Sequence, residues 1–130
     1  MKKRVYVCAP LRGDTEGNVK RALCYGRYVF QCGAVPVVPH FYALCLDDNI
    51  PEERAMGMEA GQDLLRLCDE MWIFGDTVTE GMAGEIECCR SLHIETRKIR
   101  DDEIDKGIGE NNEEKETEKD ASYSYGGSAC

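Results

Sequence analysis

Four short apolar runs alternate with three longer segments of helical periodicity, and that alternation leaves few architectures open. "RVYVCAP" (residues 4–10) is rich in β-branched and aromatic residues and stops at Pro10 and "RGD", so it reads as a buried strand. Val19, Ala22, Leu23, Gly26, Val29 and Phe30 then recur at helical spacing, with Asp14 or Thr15 able to cap the start and Gly33 closing the end. "AVPVVP" (34–39) is a second strand, held short or at an edge by its prolines. Residues 40–50 read as loop with a helical turn. Pro51, followed by Glu52 and Glu53, opens a second helix that runs to about Cys68 on Met58, Leu64, Leu65 and Cys68. "EMWIFG" (70–75) is the third strand, residues 80–92 the third helix, and "HIETRKI" (93–99) a more polar fourth strand suited to an edge.

Strand–helix alternation of this kind, with nearly continuous apolar strands, specifies a parallel sheet covered on both faces. Right-handed crossovers narrow the topology further. The expected fold is an α/β three-layer sandwich, flavodoxin-like or Rossmann-like, with strand order 2-1-3-4. The pattern assigns residues 1–100 to this domain. From Asp101 the chain turns polar: residues 101–130 carry ten acids and three lysines, which accounts for most of the formal charge of −9. Such a stretch has too little apolar surface to offset the entropy of ordering and reads as an acidic, disordered tail.

The remaining hundred residues are nearly neutral and present no basic stripe, which argues against nucleic acid as a partner. No segment approaches the roughly 18 apolar residues needed to span a bilayer, and "MKKRVYVCAPLRGD" reaches charges too soon for a signal peptide. Of the eight cysteines, none forms a CxxC pair or a His/Cys ligand cluster. Most lie in apolar runs, where free Cys behaves as a small hydrophobe. The expectation is a reduced, cytoplasmic protein without a metal site.

In an open parallel sheet, ligands bind beyond the carboxyl ends of the strands, at the switch point. Strands one and three meet there, ending in "CAPLRGD" and "FGDTVTEGMAGE", and both loops feed helix N-termini whose free N–H groups favour anions or hydroxyl clusters. Thr79 is the expected N-cap of the third helix. Gly81 and Gly84 allow close approach, and Glu85 falls about one turn in. A carboxylate there reads either as an ordinary helix acid, solvated, interacting with the helix dipole or paired with Arg90 or Lys20, or as a nucleophile or general base in a half-buried pocket. In the first loop, Arg12 and Gly13 are candidates for gripping a ligand, Arg12 as a phosphate partner or as a surface arginine. Asn18 can bond a ligand or an adjacent loop. His40 can touch a base or sugar or be structural, and Asp47 with Asp48 can hold a divalent ion or cap a loop.

Three stretches, "VYVCAP", "QDLLRLCDEMWIFG" and "TEGMAGEI", in that order and at these spacings, resemble the nucleoside 2-deoxyribosyltransferase family with its nucleotide N-glycosidase and small phage-type relatives. "PLRGDTEGN", "VPHFYALCLDD" and "PEER" are most similar to the phage-type branch. The resemblance covers about residues 4–98. It implies a five-stranded parallel domain, often a homodimer or larger assembly, that breaks the N-glycosidic bond of a deoxynucleoside or its monophosphate without metal or organic cofactor. By the same resemblance Glu85 is the nucleophile, Tyr6 its hydrogen-bonding partner, Asp63 the acid that assists the departing base, and Thr79, Gly81 and Met82 the turn that holds the sugar's 5′ end. Thr79 stands where the family has serine, Glu80 beside it would repel a 5′-phosphate, and the tail offers no match to the C-terminal residues that complete many relatives' pockets. A nucleotide-binding protein that turns nothing over is the alternative.

Overall fold

The strand and helix boundaries follow the apolar pattern closely. A computed structural model describes residues 1–104; residues 105–130, and with them most of the acidic tail, lie outside the described residues. The elements are β1 (Arg4–Cys8), α1 (Thr15–Gln31), β2 (Val35–Val37), a 3-10 helix (Pro39–Leu44), α2 (Pro51–Arg66), β3 (Glu70–Ile73), α3 (Glu80–Ser91) and β4 (Glu95–Lys98). All neighbouring strands pair in parallel, in the order β2-β1-β3-β4. This is the flavodoxin-like or Rossmann-like sandwich expected, with four strands among the described residues.

Alternation along the strands divides the core in two, because successive side chains point to opposite faces. Val5 and Val7 of β1 and Ala9 just after it, with Trp72 and Phe74, pack under α1 against Tyr28 and Val29. Tyr6 and Cys8, with Met71, face the other way, against Leu65 of α2 and Met82 and Cys89 of α3. β4 is exposed throughout, as befits an edge.

α1 begins at Asp14, whose side chain accepts a hydrogen bond from the Gly17 amide at 3.2 Å. It ends where Gly33 takes φ +84°, a left-handed conformation that glycine adopts without strain. The Gly33 amide then donates to Phe30 O at 2.9 Å and that of Ala34 to Val29 O at 3.2 Å, which satisfies two carbonyls of the last turn.

Three apolar positions expected inward do not pack. Leu23 (52% exposed) and Phe30 (65%) lie about 100° round α1 from Ala22 and Val29, and a four-stranded sheet does not reach that far round the helix. Met58 is likewise 55% exposed on α2. The core also extends beyond the boundary expected at residue 100. Residues 101–104 are helical, and Ile104 is buried with Tyr28 and Ile99. One isoleucine in a charged stretch suffices to seat that turn, since a buried Ile is stabilised by about 1.5–3 kcal/mol relative to exposure. Among the described residues no helix is long and apolar enough to cross a membrane.

Candidate functional site

The start of α3 fixes what its second turn can reach. Thr79 is its N-cap: its Oγ1 accepts from the Met82 amide at 3.2 Å, while the Thr79 amide donates to the Met82 sulfur at 3.5 Å. Met82, Glu85 and Cys89 follow at intervals of three and four and therefore share one helix face. Met82 and Cys89 are fully buried against the sheet, so the Glu85 carboxylate is carried over β1.

There it meets two side chains of that strand. The Tyr6 hydroxyl donates a hydrogen bond to Glu85 Oε2. The Cys8 thiol, 3.5 Å from Oε1, donates to the second oxygen. Tyr6 and Cys8 are themselves almost wholly buried. The Tyr6 hydroxyl is approached on its far side by α2, where a Cβ placed on Gly61 would come within 3.3 Å of it. A glycine at that point lets the helix close over the tyrosine.

Burial dominates the electrostatics. It pushes the Glu85 carboxyl above its ordinary pKa, and the hydrogen bonds from Tyr6 and Cys8 only partly offset it. Burial, reinforced by the neighbouring carboxylate, also pushes the Tyr6 hydroxyl and the Cys8 thiol up, so both are proton donors at neutral pH. The result is a half-buried carboxylate with one donor on each oxygen and a raised proton affinity. Once ionised, such a group is a better nucleophile or base than a solvated one. The ion pairs that an ordinary helix acid would make are taken elsewhere: Arg90 pairs with Glu87 at 2.8 Å and Lys20 with Glu16 at 3.8 Å.

Other residues expected at the site are placed differently. Asp63 does not converge on the cleft. Gly61 faces the Tyr6 hydroxyl, and two residues further along a helix is about 200° round it. Asp63 therefore points to solvent, where it pairs with Arg66 at 2.9 Å. Met82 contributes its backbone to the turn and its side chain to the core. Arg12 is engaged by Asp48 at 2.9 Å, so any anion at this loop competes with that carboxylate. Gly13 takes φ +97° in the same loop, with open space at its Cβ position. Gly81 lies at the mouth of α3, its Cβ position 4.0 Å from Thr79 Oγ1.

Asn18 and His40 serve the loop. Asn18 is buried, donates to Leu11 O at 3.0 Å and Arg12 O at 3.3 Å, and accepts from Arg21 at 2.8 Å. His40 is buried with Nε2 3.1 Å from both Ala9 O and Pro10 O, so its N–H ties the 3-10 helix to the end of β1. Burial pushes its pKa down, which keeps it neutral. Asp47 Oδ1 accepts from the Asn49 amide at 2.9 Å, a loop-capping role. Among the described residues no three His, Cys, Asp or Glu side chains are grouped as metal ligands, and the seven described cysteines are free thiols. Cys8 was legible in the sequence only as a small hydrophobe; its one signal is its spacing of two from Tyr6, which puts both on one face of a strand.

Beyond the β1 and β3 ends, on the α1 side, a hollow of about 290 Å³ is bounded by Asn18, Arg21, Tyr25, Asp76 and Thr77. It adjoins the same two loops from the opposite face of the sheet to Glu85. A family model described as a domain of unknown function (DUF7768) matches residues 3–99. The chain belongs to this family. The match spans all four strands among the described residues, together with Tyr6, Cys8 and Glu85. A search of curated proteins finds no match.

Proposed function

We propose that this protein cleaves or transfers the N-glycosidic bond of a deoxynucleoside or nucleoside monophosphate, with Glu85 as the nucleophile. The observation that carries this reading is the Glu85 carboxylate held over β1 by Tyr6, at the carboxyl end of a parallel sheet, the end at which such folds bind ligands. A carboxylate oxygen attacks the anomeric carbon as the bond to the base breaks, and the electron pair of that bond leaves with the base. The sugar ester so formed is opened by water or by an acceptor base, and one difficult displacement becomes two easier ones. The N-terminal turn of α3, capped by Thr79 and open at Gly81, is suited to a sugar hydroxyl. No metal or organic cofactor enters this chemistry. In keeping with the resemblance, the active form is a homodimer or larger assembly in the cytoplasm.

The test is incubation with a panel of deoxynucleosides and their monophosphates, with and without an acceptor base, followed by chromatography for free base. Release by wild type and none by Glu85→Ala is expected. Equal release by both would overturn the assignment.

One observation favours a second reading. Asp63, which the resemblance makes the helper of the departing base, is turned to solvent and paired with Arg66. A cleft lacking that acid suits a protein that binds a nucleotide and does not turn it over. Stoichiometric binding in a calorimetric titration without base release would select this reading.

A further inference from the structure

We propose that Cys8 is a positioning residue: its thiol holds Oε1 of Glu85 while the Tyr6 hydroxyl holds Oε2, and the two donors together fix the plane of the carboxylate over the sheet. This inference rests on the reading of Glu85 as the reacting group.

Three features of the geometry carry it. Cys8 is fully buried and follows Tyr6 by two residues, so strand alternation places both side chains on the α3 face of β1. Its sulfur lies 3.5 Å from Glu85 Oε1 and 4.0 Å from Met82 O, and the carboxylate is the nearer acceptor. The terminal torsion of a glutamate is broad and two-fold, so one donor leaves the carboxylate free to swing about the held oxygen. A second donor on the other oxygen removes that freedom.

The choice of a thiol has a further effect. Sulfur is a weak donor and a phenol a strong one. Oε2 is therefore the anchored oxygen, and Oε1 keeps the more available lone pair. Two strong donors would quench the basicity that burial confers. The groups facing this cluster are Tyr6 and Cys8 from β1, Cys68 after α2, Cys89 on α3 and Lys98 at the end of β4. Tyr6, Cys8, Cys68 and Cys89 are all pushed up by burial, Cys68 to about 11, so the carboxyl is the group of this cluster that titrates in the acid-to-neutral range.

The experiment is a pH titration of carbon-13-labelled glutamate side chains by NMR, with the Glu85 signal assigned by its loss in Glu85→Gln. It needs no substrate. Cys8→Ala should raise the Glu85 midpoint by about half a pH unit or more, because a donor to the charged form is lost. Cys8→Ser should return it to the wild-type value or below, because a hydroxyl is the stronger donor. A Cys8→Ala midpoint within about 0.2 units of wild type, or an equal upward shift in both variants, would reduce Cys8 to packing. If Cys8→Ala does not fold, Cys8→Ser decides, and a midpoint above wild type overturns the proposal. An unmoved midpoint in an enzyme that releases base would leave Glu85 as nucleophile held by Tyr6 alone; a moved midpoint without base release would leave the positioning intact and remove the reaction.

Discussion

Replacing Glu85 by glutamine should change how stability depends on pH. The unfolded chain titrates this carboxyl near 4.3. In the folded protein burial raises it, with the Tyr6 and Cys8 hydrogen bonds as partial offset. Between the two values the folded state binds the proton more tightly, so unfolding free energy falls as pH rises through that window. The contribution of neutral Glu85 is fully present below the unfolded pKa and is lost as pH climbs through the folded one. Each unit of separation is worth about 1.4 kcal/mol. Two donors already compensate and the side chain is not fully removed from water, so the loss is what burial leaves uncompensated and its direction is fixed. Glutamine resembles the protonated form and carries no such term. Urea unfolding of both proteins at intervals from pH 4 to pH 7 isolates it, because all other groups are shared. The wild type should lose ground to Glu85→Gln as pH rises. A difference that stays flat, or one in which wild type gains, would mean that burial does not govern this carboxylate.

Other consequences can be read from single contacts. Gly61→Ala places a methyl 3.3 Å from the Tyr6 hydroxyl, which must then shift by a few tenths of an ångström; helix propensity offsets the crowding, so stability should change by less than about 1 kcal/mol while base release falls roughly five-fold or more. Asp63→Asn, by contrast, should leave base release within about two-fold of wild type, since this exposed carboxylate meets only Arg66, and a ten-fold loss would show that it swings into the cleft. Ile104→Ala should cost roughly 2–4 kcal/mol in urea unfolding, and a cost below about 0.5 kcal/mol would remove the 101–104 turn from the core.

Much of the architecture was legible because it depends on one-dimensional pattern. The runs around Tyr6 and Trp72 had to be buried strands, the prolines of "AVPVVP" kept β2 to three residues, and Thr79 announced the start of α3. The approach of Glu85 to Tyr6 was an expectation taken from the resemblance, and periodicity alone left Glu85 equally open to an ordinary helix acid. What was missed depends on rotation and on contact between loops. Whether Asp63 faces the sheet is decided by which stripe of α2 is small enough to close on Tyr6, and the glycine at 61 settles that only when the tyrosine is in place. Arg12 and Asp48 lie in separate loops, and their pairing has no local signature. Ile104 stands in a charged run with Ile108 as its one aliphatic neighbour, too few for a clear periodic signal. Cys8 looked like any other buried cysteine until the helix above it was positioned.

If Glu85 is the nucleophile proposed, it becomes covalently attached to the sugar during the reaction. Acid-quenched reaction with a substrate that releases base, followed by digestion and mass spectrometry, addresses it directly. The peptide containing Glu85 should gain the mass of the glycosyl group, with the adduct and base release both absent in Glu85→Gln. Undiminished base release by Glu85→Gln, or an adduct confined to another residue, would contradict it.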